Sequence, residues 1–290
     1  MGYAELLPVS GDRSLAPLVA CTWAISGPSP AHRVLPDGCI DVLVLTSRHG
    51  GAEPARVVGT MRRAFVAPAD TGAAFGIRFR PGEAARLLPE ASRELTDIDA
   101  PLAALWGDAG RMLEDALVAL LERAVAYGWN ADEILAHAQP LVDDVLRARL
   151  ASHGASVDLR VRTAASLLAS ADPIAISEVA MRVSLSERQL TRRFTERVGV
   201  PPKLFARVMR LQRAAALLSG GATASQASSL AGYADQAHFT RDSTDLAGVT
   251  PGGLARELSD SFKTDAAIAS YNGRSPSRSA GATPCPSSPT

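Results

Sequence analysis

The spacing of hydrophobic positions divides the chain into stretches of different period. Between 19 and 80, short runs rich in Val, Ile, Thr and aromatic residues (LVACTWAIS, CIDVLVLT, ARVVGTM, FGIRFR) are separated by GPSP, PDG, RHGG and PADTG. Runs of this kind, punctuated by turn residues, predict strands and a small antiparallel β-domain. After RPG at 80–82 the period lengthens. Helix is predicted over 83–88, 101–107, 108–127 and about 130–150, with Pro140 kinking or dividing the last. In 108–127, Met112, Leu113, Ala116, Leu117, Leu120, Leu121 and Ala124 recur three and four apart, as on an amphipathic helix. The small, polar stretch ASHGAS, 151–156, is the expected linker. From 158 to about 262 the pattern is helical throughout. Residues 263–290 are rich in Ser, Pro and Gly, with little to bury, and are expected to be a disordered tail. The fold class expected is α+β: residues 1–150 a small antiparallel β-domain with helices, and residues 157–262 an all-α domain.

The helical part repeats itself. ISEVAMRVSLSERQLTRRFTERVGVPP, from Ile176, aligns with ASQASSLAGYADQAHFTRDSTDLAGVTP, from Ala224, at an offset of 48 before a turn and 49 after it. Leu185 matches Tyr233, Leu190 matches Phe239, Gly199 matches Gly248 and Pro202 matches Pro251. Each unit reads as a short helix, a tight turn and a longer helix closed by Gly-Val and Pro, the outline of a helix-turn-helix. In the first unit Ser177 is placed to cap EVAMRV, with Glu178 in the first turn. Val179, Ala180 and Val183 supply a buried face, and the small Ala180 lets two helices approach closely. Ser186 is placed to cap the second helix. There Leu190, Phe194 and Val198 sit four apart and make one buried stripe. At about 100° per residue, Arg188, Arg192 and Thr195 fall on the opposite face, with Thr191 at its edge. Gly199 suits a left-handed helix end.

Charge adds to this only when it is divided along the chain. Lys+Arg and Asp+Glu are 30 each, so the net charge is zero. Residues 1–150 carry 14 basic and 19 acidic side chains, residues 160–213 carry 11 and 4, and residues 224–260 carry 2 and 5. The positive field is therefore concentrated on the first helix-turn-helix unit, which points to a polyanion. An Arg-bearing helix alone is read as a solvated face. The cap, the turn, the Leu-Phe-Val stripe, the local field and the repeat together favour DNA instead. Arginine can donate two parallel bonds to guanine O6 and N7 in the major groove. The three cysteines, Cys21, Cys39 and Cys285, form neither a disulfide framework nor a zinc set, and reduced cytoplasmic thiols are expected. MGYAELLPVSGDRS has no basic region before an apolar run, and no uncharged apolar stretch reaches ~18 residues. Neither a signal peptide nor a membrane span is expected.

Residues 160–258 resemble the double helix-turn-helix DNA-binding domain of AraC/XylS-type bacterial transcription regulators. The resemblance lies in LSERQLTRRFTERVGVPP, in the linking helix KLFARVMRLQRAAALL, and in GYADQAHFTRDSTDLAGVTPGGLARE. It implies seven helices, with two recognition helices entering successive major-groove segments on one face of double-stranded promoter DNA. It places base-reading positions at Arg188, Thr191 and Arg192 in the first unit. In the second they fall at Gln236, Ala237 and Arg241, with His238 adjacent. Ala180, Leu190, Phe194, Tyr233 and Phe239 would form the core of the two units. The second unit departs from the family pattern. Ala227 and Ser228 stand where a large aliphatic residue and Ala are usual, Ser243 replaces a second Phe, and Thr244 replaces a basic residue. Asp242 and Asp245 flank it. Acids facing phosphate would oppose binding, so the first unit is expected to carry most of the affinity. RVLPDGCIDVLVL, GIRFRPGEAARLL and ELTDIDAPLAALWG resemble an N-terminal domain found in a subset of these regulators. By analogy it would be a sensor or dimerisation domain.

The N-terminal half carries no nucleophile–base constellation, no Gly-rich phosphate loop and no His-x-His or His-x-x-x-His spacing. No metal or cofactor is expected. Asp37 and Asp41 flank Cys39 in PDGCID, either as a polar pocket with a thiol or as a turn into a strand with a small buried Cys. Arg78 and Arg80 lie two apart on a strand, placed to bind an anionic effector or to pair with nearby acids. Trp106 reads as a core anchor. The expectation is a cytoplasmic one-component transcription regulator, not an enzyme. Arg193, Arg207 and Arg210 are candidates for phosphate contacts. A small-molecule effector, RNA polymerase and a second copy of the chain are its expected further partners. Two alternatives stay open: a protein–protein adaptor whose second unit no longer binds DNA, and a ligand-modifying enzyme fused to a DNA-binding domain.

Overall fold

The computed structural model describes residues 2–7, 14–27, 30–47, 51–69, 71–88, 92–153, 156–172 and 174–259. The expected tail at 263–290 lies outside the described residues. The first half is a β-sheet backed by helices. Strands β1 (Gly2–Leu6), β2 (Val19–Ser26), β4 (Ile40–Ser47), β5 (Arg56–Val58), β7 (Thr71–Phe79) and β8 (Asp99–Pro101) make one sheet. Its order is β1-β2-β7-β4-β5-β8 and every pairing is antiparallel. A separate pair joins β3 (His32–Val34) to β6 (Phe65–Ala67). The four apolar runs found in the sequence become β2, β4, β5 and β7. The remaining four strands are short or edge segments, with too few residues to register an alternation.

Helices α1 (Leu102–Trp106), α2 (Asp108–Tyr127) and α3 (Ala131–His153) follow. One face of the sheet, with Val42, Val44, Phe75 and Ile77, shares a core with Leu113, Leu117 and Leu120 of α2 and Ile134, Ala138 and Val142 of α3. The amphipathic stripe of α2 thus serves its own sheet, apart from Met112, which is 72% exposed. Pro140 neither ends nor divides α3. Proline removes one intrahelical bond, and the burial of Ile134, Ala138, Val142 and Leu146 holds the helix through that gap. The stretch 83–88 forms only a single 3-10 turn at Ala84–Arg86. Trp106 is buried, with the Arg149 guanidinium over its ring.

The second half is all helix: α4 (Leu159–Ala169), α5 (Ile176–Arg182), α6 (Glu187–Val198), α7 (Pro202–Ser219), α8 (Ala224–Leu230), α9 (Gln236–Asp242) and α10 (Pro251–Ser259). A π-helical turn, Ser243–Ala247, extends α9. The pairs α5–α6 and α8–α9 are the two repeat units, and α7 joins them. Their turns use the same bonds at the offset of 48: Leu185 N–H donates to the Ala180 carbonyl at 2.9 Å, and Tyr233 N–H to the Ser228 carbonyl at 3.0 Å. Both turns need a left-handed residue. The second unit has Gly232 there (φ 82°), whereas the first has Ser184 (φ 55°). A side chain in that conformation costs about 1–2 kcal/mol. Replacing Ser184 by Gly is therefore expected to stabilise the chain by about 1 kcal/mol after the added freedom of the unfolded state, read as a higher midpoint in chemical denaturation. Replacing Gly232 by Ser should lower it.

Candidate nucleic-acid interface

The first unit presents α6. Ser186 Oγ accepts from Gln189 N–H at 3.3 Å while Ser186 N–H donates to Gln189 Oε1 at 2.9 Å, a reciprocal capping box that fixes where the helix begins. Ser177 caps nothing, because α5 starts at Ile176 with Ala175 before it. Leu190, Phe194 and Val198 are fully buried, and the Phe194 ring meets Phe205 of α7 edge-on at 5.3 Å. With that stripe inside, Arg188, Thr191 and Arg192 are exposed. Among the described residues their side chains have no hydrogen-bond or ion-pair partner. Arg193 lies 3.5 Å from Asp158, the cap of α4.

The second unit is built likewise. Asp235 caps α9 by accepting from His238 N–H at 2.6 Å. Phe239 and Tyr233 are buried, and Gln236, Ala237 and Arg241 are exposed. His238 is half-buried, its ring edge-on to Tyr233 at 5.1 Å and 3.4 Å from Arg210 Nη1. The two serines among the departures from the family pattern each find a partner. Ser228 Oγ donates to the Asp235 carbonyl at 3.1 Å, and Ser243 Oγ to the Val249 carbonyl at 2.7 Å. The two acids do not face outward as free charges. Asp242 is buried and takes Arg207 Nη2 at 2.8 Å. Asp245 binds Arg207 at 2.7 Å and Arg63 at 2.9 Å, and both arginines hold its carboxyl below the usual range. Arg207, expected at a phosphate, is thus engaged inside the fold. Arg210 lies over the Tyr233 ring at 5.3 Å.

The first half of the chain contacts both units at the ends of these helices. Thr60 Oγ1 donates to the Val198 carbonyl at 2.5 Å, and Thr96 Oγ1 to the Gly199 carbonyl at 2.7 Å. These are terminal carbonyls of α6 that the helix itself cannot satisfy. Four residues on, Ala64 N–H donates to the Leu246 carbonyl at 2.7 Å, at the end of the π turn after α9. Residues 60–64 therefore bridge the ends of both units. Arg162–Glu83 (2.7 and 2.8 Å) and Arg33–Glu257 (2.7 and 3.1 Å) add ion pairs between the halves. Nothing local in the sequence marked Thr60, Arg63 or Thr96, since threonines and arginines in loops are ordinary there.

The sequence profile described as "Helix-turn-helix domain" matches residues 179–257. The C-terminal half carries a helix-turn-helix domain of the AraC type. Residues 9–101 match the profile described as "Domain of unknown function (DUF6597)". No curated protein matches the chain. Among solved structures it is similar to a probable AraC family transcriptional regulator from Rhodopseudomonas palustris, at 29% identity over 35% of this chain and 98% of that one, with a TM-score of 0.32. It is similar also to a regulator with an AraC-type DNA-binding domain from Chromobacterium violaceum, at 25% identity over 34% and 92%, with a TM-score of 0.33. ToxT from Vibrio cholerae aligns over 89% of this chain and 99% of its own at 11% identity, with a TM-score of 0.44.

Beside the AraC-type domain, the Asp37–Cys39–Asp41 stretch realises both sequence readings. Asp37 accepts from Cys39 N–H at 2.9 Å, as in a turn, and all three residues line a cavity. Burial pushes the Cys39 thiol up, away from reactivity. Arg78 pairs with Asp41 at 2.9 Å, while Arg80 lies just past β7 and donates to the Ala16 carbonyl. Among the described residues no group of three His, Cys, Asp or Glu could hold a metal, and no helix is long and apolar enough to cross a membrane.

Two expected outcomes follow from these pairs. Arg207→Met strands the buried Asp242 carboxylate and should cost about 3–5 kcal/mol, and adding Asp242→Asn should restore much of it, as a thermal-unfolding double-mutant cycle would measure. Thr60→Val with Thr96→Val leaves two buried carbonyls without donors. It should lower stability by about 1–3 kcal/mol per lost donor, and limited proteolysis should cut between the halves sooner than in the parent.

Proposed function

We propose that the chain is a one-component, effector-responsive transcription regulator. The AraC-type domain supports DNA binding and transcription regulation at the level of the domain. The observation that carries the finer reading is the outer face of α6. Arg188, Thr191 and Arg192 project from a capped helix whose other side is fully buried, and among the described residues no acid pairs with them. A rigid helix with unpaired arginines can spend their donors on guanine edges and phosphates. In this reading Arg188, Thr191 and Arg192 read bases in one major-groove segment. Gln236 and Arg241 assist in the next, with His238 at the edge, and Arg193 meets a phosphate. The N-terminal half touches the ends of both recognition helices, which supports its acting on them when it binds an effector.

The first unit carries most of the affinity because its exposed face has two arginines and that of α9 has one. The test is fluorescence anisotropy of the full-length protein with DNA from its own upstream region and with scrambled DNA, across a salt series. The expected preference is ~10³-fold or more, with affinity falling steeply in salt. Arg192→Ala should cost roughly 10–100-fold on the preferred site, consistent with about 1–3 kcal/mol for a base-reading arginine, and Arg241→Ala less. Equal affinity for both DNAs would overturn the reading. A larger loss from Arg241→Ala than from Arg192→Ala would overturn the asymmetry between the units.

A further inference from the structure

The sheet has a second face that α2 and α3 do not cover. It walls a cavity of about 660 Å³ whose opposite wall comes from α7 and α10. Leu43 and Leu45 project into it from β4, and Met209 and Leu254 close it from the helices. The pattern of β4 carries this information. In IDVLVLTS the buried positions alternate with half-buried ones, yet Leu43 and Leu45 on the half-buried side are apolar too. A strand wet on one face puts polar residues there. The middle of this one is apolar on both faces, with space rather than side chains over the second. The volume is that of a site for a small organic molecule.

One end of the cavity is acidic. Arg78 donates to Asp41 at 2.9 Å and lies 3.3 Å from Asp37, so one guanidinium faces two carboxylates. Arg78 is 16% exposed and Asp41 14%. Glu5, bonded by Tyr3, stands nearby on β1, and burial pushes the carboxyls of both Glu5 and Asp41 up. The other arginines here are engaged: Arg33 with Glu257, Arg56 with Asp99, and Arg213 with the Ala169 carbonyl. An incoming anion would have to break an existing ion pair at Arg33, Arg56 or Arg78. A cation would complete the charge, with the aromatic rings of Tyr3 and Trp23 in the wall beside it.

We propose that this cavity binds an organic cation with a large apolar body, its charge against Asp41 and Asp37 and its body against Leu43, Leu45 and Met209. The proposal deepens the effector-responsive reading and rests on it for its consequence. Val58, Gly59 and Met61 line the cavity and run directly into Thr60 and Ala64, which bond the ends of both recognition helices. A molecule seated against Met61 therefore acts on the segment that holds the two DNA-reading elements.

The test is calorimetric titration of the full-length protein with tetraphenylphosphonium and, separately, tetraphenylborate, ions matched in shape and opposite in charge. The cation should bind saturably at one site, ~10-fold or more tighter than the anion, a difference of about 1.4 kcal/mol. Asp41→Asn should weaken the cation ~10-fold or more. Because that variant removes a buried partner of Arg78, Leu45→Trp provides an independent check. It fills the cavity while leaving the acids in place, and should abolish cation binding without lowering the melting temperature. Equal or tighter binding of the anion, or cation binding unchanged in both variants, overturns the proposal. Operator binding is measured on the same samples. A chain that takes the cation as expected but binds no specific DNA overturns the regulator reading and keeps the site. A chain that binds its operator and prefers the anion overturns the site alone.

Discussion

The last carbonyls of a helix have no partner within it, and much of this molecule follows from how α6 resolves that. Val198 and Gly199 end the helix with Gly199 in a left-handed conformation (φ 97°). Their carbonyls are taken by Thr60 and Thr96 from the other half of the chain. A Cβ on Gly199 would come within 3.1 Å of both threonines, so the glycine serves the interdomain contact as well as the helix end. Because residues 60–64 also bond Leu246, the N-terminal half holds two helices whose outer faces it never covers. Binding to the N-terminal half and orientation of the helices then share one short segment of backbone.

Buried charge sets the geometry elsewhere. Arg162 with Glu83, Arg207 with Asp242 and Asp245, and Arg78 with Asp41 and Asp37 are pairs between elements far apart in sequence. Such pairs add little net stability over apolar packing, yet removing one partner is costly. Their effect is to exclude alternative arrangements of the elements they join. They also redistribute the positive field. Of the basic residues between 160 and 213, Arg162 and Arg207 are consumed inside the fold, and Arg193 and Arg210 are partly engaged. What remains free on the first unit is concentrated on the outer face of α6.

The two units show how a repeat can keep its frame while its surface diverges. Caps at Ser186 and Asp235, the paired turn bonds and the buried Leu190 and Phe239 are common to both. The second unit has Ser228 and Ser243 where apolar residues are usual, and both buried serine hydroxyls donate to main-chain carbonyls. A satisfied buried hydroxyl avoids most of the penalty of burying a polar group, so Ser228 and Ser243 sit inside without disrupting α8 and α9.

Periodicity, caps and the repeat fixed the local order of this protein from the sequence. The strands β2, β4, β5 and β7, the capped start of α6, the Leu190–Phe194–Val198 stripe and the exposed arginines opposite it all depend on residues a few positions apart. Such relations survive in a linear reading. The continuity of α3 past Pro140, the exposure of Met112 and the absence of a side-chain cap on α5 depart from the local pattern, because packing and chain path outweigh local preference there. The inward turn of Asp242, the capping of α6 by Thr60 and Thr96, and the cavity above Leu43 and Leu45 were decided only in three dimensions. Each joins residues between 35 and 211 positions apart. Whether a polar side chain faces solvent, ligand or a buried partner depends on which distant element the folded chain brings opposite it.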